Sequence, residues 1–357
     1  MRGAEFGEAY ANLQRIRHLS VVPDFELRDK AQLAGEINRI ARETDTVILK
    51  HNYMEPMLYC AVHGFKGDSL ELSRVASQAT ASRIVFCGVE FMAETAKILN
   101  LGKTVLIPSP EAGCSLADGI KPEDVVWLRQ QFPGLAVIAY INTTAAVKAE
   151  ADYCCTSGNY RRVVEQARKD FGGKSVIFIP DKYMAGNIAK DLGMGLFIPD
   201  REPGRQEQID YEDKSYIIGW DASCYVHEQY TPKQVKQIRE SYPGAIVIAH
   251  PECRPDVVRA ADFSGSTSKM AQFVEQNGGN KEIALLTECS MIDNLVATHP
   301  EFMGNLIRMC TLHCRYMQMI TLEQLYEALV KNQYQVEIPE DIRGRAEASI
   351  RRMLAIQ

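Results

Sequence analysis

The apolar positions of this chain fall into short runs rather than long stripes. Around residues 136–141, 153–156, 176–180 and 215–219 the runs are rich in Val, Ile and aromatic residues. They are nearly continuous, as strands covered on both faces should be. Amphipathic stretches between them predict helices, and right-handed crossovers of that kind build a parallel sheet. Residues 24–43 and 321–357 are polar and helix-prone. The stretch 199–214, PDREPGRQEQIDYEDK, is charged, holds Pro and Gly and has no period, which predicts a surface loop.

The pattern repeats. Segment 133–166 matches segment 243–276 without a gap: Pro133/Pro243, Gly134/Gly244, Val137/Val247, Ile138/Ile248, Ala139/Ala249, Val147/Val257 and Asp152/Asp262 are identical. Val164, Glu165 and Gln166 extend the match to Val274, Glu275 and Gln276. A fainter third copy begins at VILKHNY (47–53). The second halves recur as IVFCGVEFMAETAKIL (84–99), VIFIPDKYMAGNIAKDL (176–192) and IALLTECSMIDNLVA (283–297). Duplication of a structural unit explains this better than chance. The expected fold is α/β, three pseudo-symmetric repeats around a central site, each a small parallel sheet sandwiched by helices. The expected units are 1–115 with the N-terminal helices, 116–225 and 226–319, with 320–357 packing on the first.

Net charge is −6 and no Lys/Arg-rich tract occurs, which argues against a nucleic-acid or anionic-membrane surface. No apolar stretch approaches the roughly 18–20 residues that span a bilayer. MRGAEFGEAY lacks the apolar core of a signal peptide. A soluble, cytoplasmic protein is expected. Ten cysteines are many for such a protein, yet disulfide frameworks belong to short secreted domains. Cys154 and Cys155, inside an apolar run, read as packing.

Ligands of parallel α/β sheets bind beyond the carboxyl ends of the strands. There the copies offer His51 and Tyr53, Tyr140 and Asn142, and His250 and Glu252, each pair spaced to point one way. A single pair reads equally as a hydrogen-bonded loop. Three acid–base pairs at one equivalent place point to a site. The second strands end in Ser69, Ser157 and Thr267, each before a helical stretch. Ser and Thr are ordinary N-caps, and a helix N-terminus with a hydroxyl also suits an anion. Each unit closes with a cysteine: Cys114, Cys224 and Cys314. Three thiolates suit an iron–sulfur cluster with one iron free of protein ligands, or zinc with a water. Cys310 competes with Cys314, and the repeat alone does not choose between them.

With HNYMEP, GDSLEL, FMAETAKIL, CSLAD, YINTTAAVKA, PDKYMA, HPE and GSTS in place, the chain resembles the quinolinate synthase family over about residues 44–320. That resemblance implies three pseudo-symmetric domains and one 4Fe–4S cluster on Cys114, Cys224 and Cys314, the CRYM context selecting Cys314 over Cys310. Some members carry C-x₂-C-x₂-C here, whereas this chain has C-x₃-C, which leaves the part played by Cys310 open. The implied reaction condenses iminoaspartate with dihydroxyacetone phosphate to quinolinate for NAD biosynthesis, releasing phosphate and water, with the open iron as Lewis acid. Implied substrate contacts are His51, Ser69, Tyr140, Ile141, Asn142, Ser157, His250, Pro251, Glu252 and Thr267. Tyr53, His51, His250 and Glu252 are the implied catalytic groups. Lys182 reads as an anion partner or as a surface lysine. An aspartate-oxidising enzyme is the implied source of iminoaspartate. The rival readings are another 4Fe–4S dehydratase of a small hydroxy acid and a noncatalytic iron–sulfur or zinc sensor.

Overall fold

The computed structural model describes residues 2–17, 22–202, 209–309 and 312–356. It contains three small parallel sheets. The first has β1 (Thr46–His51), β2 (Phe65–Gly67), β3 (Arg83–Cys87) and β4 (Thr104–Leu106) in the order β2-β1-β3-β4. The second has β5 (Val137–Tyr140), β6 (Tyr153–Cys155), β7 (Val176–Ile179), β8 (Gly195–Phe197) and β9 (Tyr216–Ile218) in the order β6-β5-β7-β9-β8. The third has β10 (Ile246–Ala249), β11 (Phe263–Ser264), β12 (Ile283–Leu286) and β13 (Leu306–Ile307) in the order β11-β10-β12-β13. One order is used three times, with β8 added at an edge. Each sheet places its first strand between the second and the third, so the order reverses there and opens a crevice at the carboxyl ends. The central strands β5, β7 and β12 are buried at every position, which explains their unbroken apolar runs.

The helices are α1 (Arg2–Arg15), α2 (Asp24–Glu43), α3 (Pro56–Ala61), α4 (Ser69–Gln78), α5 (Glu90–Leu99), α6 (Ser115–Asp118), α7 (Pro122–Gln131) and α8 (Ala145–Ala149). They continue with α9 (Tyr160–Phe171), α10 (Lys182–Asp191), α11 (Pro232–Ser241), α12 (Pro255–Ala260), α13 (Thr267–Asn277), α14 (Ser290–Thr298), α15 (Leu322–Lys331) and α16 (Glu340–Ala355). Among the described residues no helix is long and apolar enough to cross a membrane.

The chain forms two compact units, one of Met1–Gly113, Ile238–Ile248 and Thr267–Glu337, the other of Cys114–Gln237, Ala249–Ser266 and Ile338–Gln357. In the first, α1 lies along α2. Gly35 permits that approach, because a Cβ there would stand 3.2 Å from the Phe6 backbone nitrogen. On the same helix α15 packs, and Lys30 pairs with Glu323 at 2.5 Å. Helix α16 departs from the expectation that 320–357 joins the first repeat. It lies against α8 and β6 in the second unit, burying Ala346, Ile350 and Met353. Ser349 donates to the Lys148 carbonyl at 2.9 Å, and Asn159 to that of Met353 at 3.3 Å. Pro339 stands at the N-cap, where α16 begins. The described part of 199–214 carries neither helix nor strand, as expected; residues 203–208 lie outside the description.

Candidate functional site

The first strands end in sharp, repeated turns. At the end of β1, His51 Nδ1 accepts the Tyr53 backbone N–H at 3.2 Å, and the His51 carbonyl accepts that of Met54 at 3.0 Å. After β10, His250 Nδ1 accepts the Glu252 N–H at 3.3 Å, and the His250 carbonyl that of Cys253 at 2.9 Å. A ring accepting at Nδ1 keeps its proton on Nε2, so both histidines present an Nε2–H donor. A helical asparagine braces each turn. Asn294 on α14 donates to the Asn52 and Met54 carbonyls at 3.0 and 2.8 Å. Asn187 on α10 donates to those of Pro251 and Cys253 at 2.8 and 2.9 Å. The Tyr53 ring meets the His51 ring edge-on at 4.7 Å, and its hydroxyl stands 2.5 Å from Thr287 Oγ1.

The middle copy converges on Glu252 within the second compact unit. Tyr140, at the end of β5, donates its hydroxyl to Glu252 Oε1 at 2.6 Å, and the Asn142 amide reaches the same oxygen at 3.2 Å. His227 Nδ1 stands 2.8 Å from Oε2, and the His227 ring stacks on His250 at 4.6 Å. Ile141 donates its N–H to the Cys155 carbonyl at 2.8 Å and is buried. Burial by itself pushes the Glu252 carboxyl up. The imidazoles of His227 and His250 and the Tyr140 hydroxyl outweigh it, so the carboxyl titrates well below the usual range. Asp181 goes the other way, driven up by burial and then by the charge of Glu252. Its Oδ1 caps α10 through the N–H groups of Tyr183 and Met184 at 2.8 and 3.0 Å. Its Oδ2 is buried with no hydrogen-bond partner among the described residues. Of two neighbouring carboxyls, Asp181 holds the proton and Glu252 the charge.

Cys224 Sγ lies 3.2 Å from His227 Nδ1, and ligand atoms of Cys224, His227 and Glu252 fall within 4.8 Å of one another, close enough to hold a metal ion. Hydrogen-bond donors already engage both Glu252 oxygens, so the group reads as an acid–base cluster beside a thiol. Lys182 spends its charge on exposed Asp221 at 2.8 Å.

The hydroxyls are not the caps that the sequence suggests. Asp68 caps α4: its Oδ1 accepts the Leu70 and Glu71 N–H groups, each at 3.0 Å, and Glu71 returns to the Asp68 N–H at 3.3 Å. Ser69 is the first residue inside the helix. Asn159, not Ser157, stands at the N-cap of α9. Thr267 opens α13, and its Oγ1 accepts the Asn52 amide at 3.0 Å. At α4 a carboxylate beside the helix N-terminus caps better than a neutral hydroxyl.

The three cysteines share one local structure. A backbone N–H at the start of a helix reaches the carbonyl two residues before each: Glu90 to Ala112 at 2.7 Å, Lys182 to Ala222 at 2.9 Å and Cys289 to Leu312 at 3.1 Å. The carbonyls of Cys114, Cys224 and Cys314 then accept the N–H four residues on, at 2.9, 3.0 and 3.1 Å. All three are half-buried. Cys87, Cys154, Cys155 and Cys253 are buried, and burial pushes their thiols up, Cys87 to about 12. Cys310 lies outside the described residues. In the third copy Glu288 also holds the Cys314 N–H, at 3.2 Å.

By unit, His51, Tyr53, Ser69, Thr267 and Cys314 belong to the first, and Tyr140, Ile141, Asn142, Ser157, His250, Pro251, Glu252, Cys114 and Cys224 to the second. Sequence reasoning missed His227, Asn187, Asn294 and Asp181. The spacing from Cys224 to His227 was a signal for the first. Asn187 and Asn294 each stand three residues after the equivalent Met184 and Met291, a repeat that could have found them.

The family model described as "Quinolinate synthetase A protein" matches residues 35–355. A curated protein of Mesorhizobium japonicum named quinolinate synthase 2 is 48% identical over 326 residues, 90% of this chain and 92% of its own. The quinolinate synthase of Agrobacterium fabrum is 44% identical over 336 residues, 94% of this chain and 89% of its own. That of Xylella fastidiosa is 45% identical over 320 residues, 90% and 86% respectively.

Proposed function

The chain belongs to the quinolinate synthetase A protein family, and from that premise we propose that it condenses iminoaspartate with dihydroxyacetone phosphate to quinolinate at a 4Fe–4S cluster on Cys114, Cys224 and Cys314. The observation that carries the reading is the cysteine turn, built three times with the same two backbone hydrogen bonds. The donor set fits the group. Three half-buried thiols are soft ligands and would leave one iron without a protein ligand. When bound, the cluster supplies a Lewis acid for the hydroxyl that must leave as water.

The chain's own residues do the rest. Glu252, held as the anion, is the base, and the His227 ring and Tyr140 hydroxyl fix its two oxygens. His51 and His250 direct Nε2–H donors at oxygens that gain charge. Tyr53 serves as a further proton carrier beside His51. Ser69, Ser157 and Thr267 hold carboxylate and phosphate oxygens at helix starts, with Ile141, Asn142 and Pro251 lining the substrate. An enzyme that oxidises aspartate supplies the iminoaspartate. A reducing, cytoplasmic compartment suits Cys60, Cys87, Cys154 and Cys155, which form no disulfide among the described residues.

Anaerobic purification, metal and sulfide counting and a quinolinate assay test the proposal together. About four iron and four sulfide per chain with quinolinate formed is the expected result. Zinc in place of iron, or a full cluster that dehydrates another hydroxy acid and yields no quinolinate, would overturn it.

A further inference from the structure

Tyr59, Asn52 and Thr267, neighbours in the first compact unit, form a chain of hydrogen bonds of which the reaction above uses only Thr267. The Tyr59 hydroxyl donates to Asn52 Oδ1 at 3.3 Å, and Asn52 Nδ2 donates to Thr267 Oγ1 at 3.0 Å. Each of the three is more than nine-tenths buried: Tyr59 is 8%, Asn52 9% and Thr267 3% exposed. The Asn52 backbone is itself fixed, its carbonyl by Asn294 and its N–H by the Gly67 carbonyl at 3.1 Å.

The chain has a direction. Burial pushes the Tyr59 phenol up, so it stays protonated and donates. Its proton holds the Asn52 carbonyl oxygen on its own side and turns the amide NH₂ toward Thr267. Thr267 Oγ1 is thereby an acceptor from the protein, and its own proton is left to donate elsewhere. A threonine hydroxyl this deeply buried, with its acceptor role filled and its donor role open, is prepared for an acceptor-only ligand. The other copies lack the device, since Ile141 and Pro251 occupy the place of Asn52 and have no polar side chain.

We propose that Asn52 and Tyr59 are positioning residues that lock the Thr267 hydroxyl as a donor to a bound oxyanion, a carboxylate or phosphate of the substrate. The proposal deepens the site reading given above and rests on Thr267 touching the ligand. The lock discriminates as well as binds: a neutral donor group placed there would meet a second donor and be rejected.

The test is a double-mutant cycle on anaerobically prepared holoenzyme, read as the dissociation constants of inorganic phosphate and of quinolinate and as KM against kcat. Thr267→Val should weaken one of the two anions about 10- to 100-fold, the range of one charge-assisted hydrogen bond. Which anion responds tells carboxylate from phosphate. Asn52→Asp, which can only accept, should recapture the Thr267 proton, cost a similar factor and raise KM more than it lowers kcat. In the Thr267→Val background the same change should cost less than about 3-fold, because no proton remains to recapture. Tyr59→Phe frees the amide to turn and should cost about 2- to 5-fold with Thr267 present and nothing without it; it serves if Asn52→Asp does not fold. Equal penalties for Asn52→Asp and Tyr59→Phe in both backgrounds would mean plain repulsion or a structural role and would overturn the lock. Unaltered binding of both anions in Thr267→Val would overturn the lock together with the assignment of Thr267 to the ligand.

Discussion

At the scale of residues, the charge on Glu252 is the costly feature, since a carboxylate 4% exposed must be matched by donors on all sides. Tyr140, Asn142 and His227 supply them. Glu252→Gln keeps the shape and removes the base. It should lower kcat by about 10²-fold or more, and a rate within a factor of three of the parent would remove Glu252 from proton transfer. The same reasoning sorts the thiols. Serine at Cys114, Cys224 or Cys314 should abolish the cluster chromophore, whereas Cys87→Ser, Cys253→Ser and Cys310→Ser should retain it. An anaerobic Cys310→Ser protein without chromophore, beside Cys314→Ser with one, would transfer the third ligand to Cys310. The placement of His51, His250 and Glu252 at strand ends was legible because acid–base residues recur at one place in the repeat. His227 offered only its spacing from Cys224, because its contacts with Glu252 and His250 join residues distant in sequence.

At the scale of elements, β1 carries a buried lysine that points away from the site. Lys50 is 1% exposed, donates to the Tyr59 carbonyl at 2.9 Å and to that of Val62, and so satisfies the C-terminal end of α3. Burial, then the charge of Lys66, pushes it down from 10.5 to about 7. Between those values the folded chain binds fewer protons than the unfolded one, so stability must climb with pH. From pH 7 to 9 the gain should be about 2 kcal/mol. Above 9 the raised Cys87 thiol, still protonated when folded, opposes it. Urea unfolding across pH 7–9 should show this slope, and Lys50→Met should flatten it; an equal slope in both would assign it elsewhere. The strands with continuous apolar runs were readable, and so was α2 from its polar, helix-prone pattern. Strand β8 was not, since only three residues form it and Leu196 is exposed. The caps were misread because GDSLE offers two candidates, and the choice of Asp68 over Ser69 depends on backbone geometry at the turn.

At the scale of the whole molecule, one strand order built three times explains most of what the sequence revealed. Duplication leaves matched apolar runs and matched strand ends, and these are visible without coordinates. It does not reveal which body a terminal helix joins, and α16 chose the surface of α8 and β6. It does set Asn187 and Asn294 at equivalent positions, but not the backbone carbonyls, distant in sequence, that each one braces. The equivalence of the cysteines has the largest functional consequence. On the proposed reading, three protein thiolates around a four-iron cluster would leave one iron to water or substrate, where oxidants could reach it, so air sensitivity should follow. Mössbauer spectroscopy of the iron-57 holoenzyme, with and without quinolinate, tests this most directly. The ring nitrogen and adjacent carboxylate of quinolinate form a bidentate chelate. The account predicts one distinct iron in about four, shifted selectively when quinolinate saturates the protein. A spectrum unaltered by saturating quinolinate, in active protein with a full cluster, would contradict it.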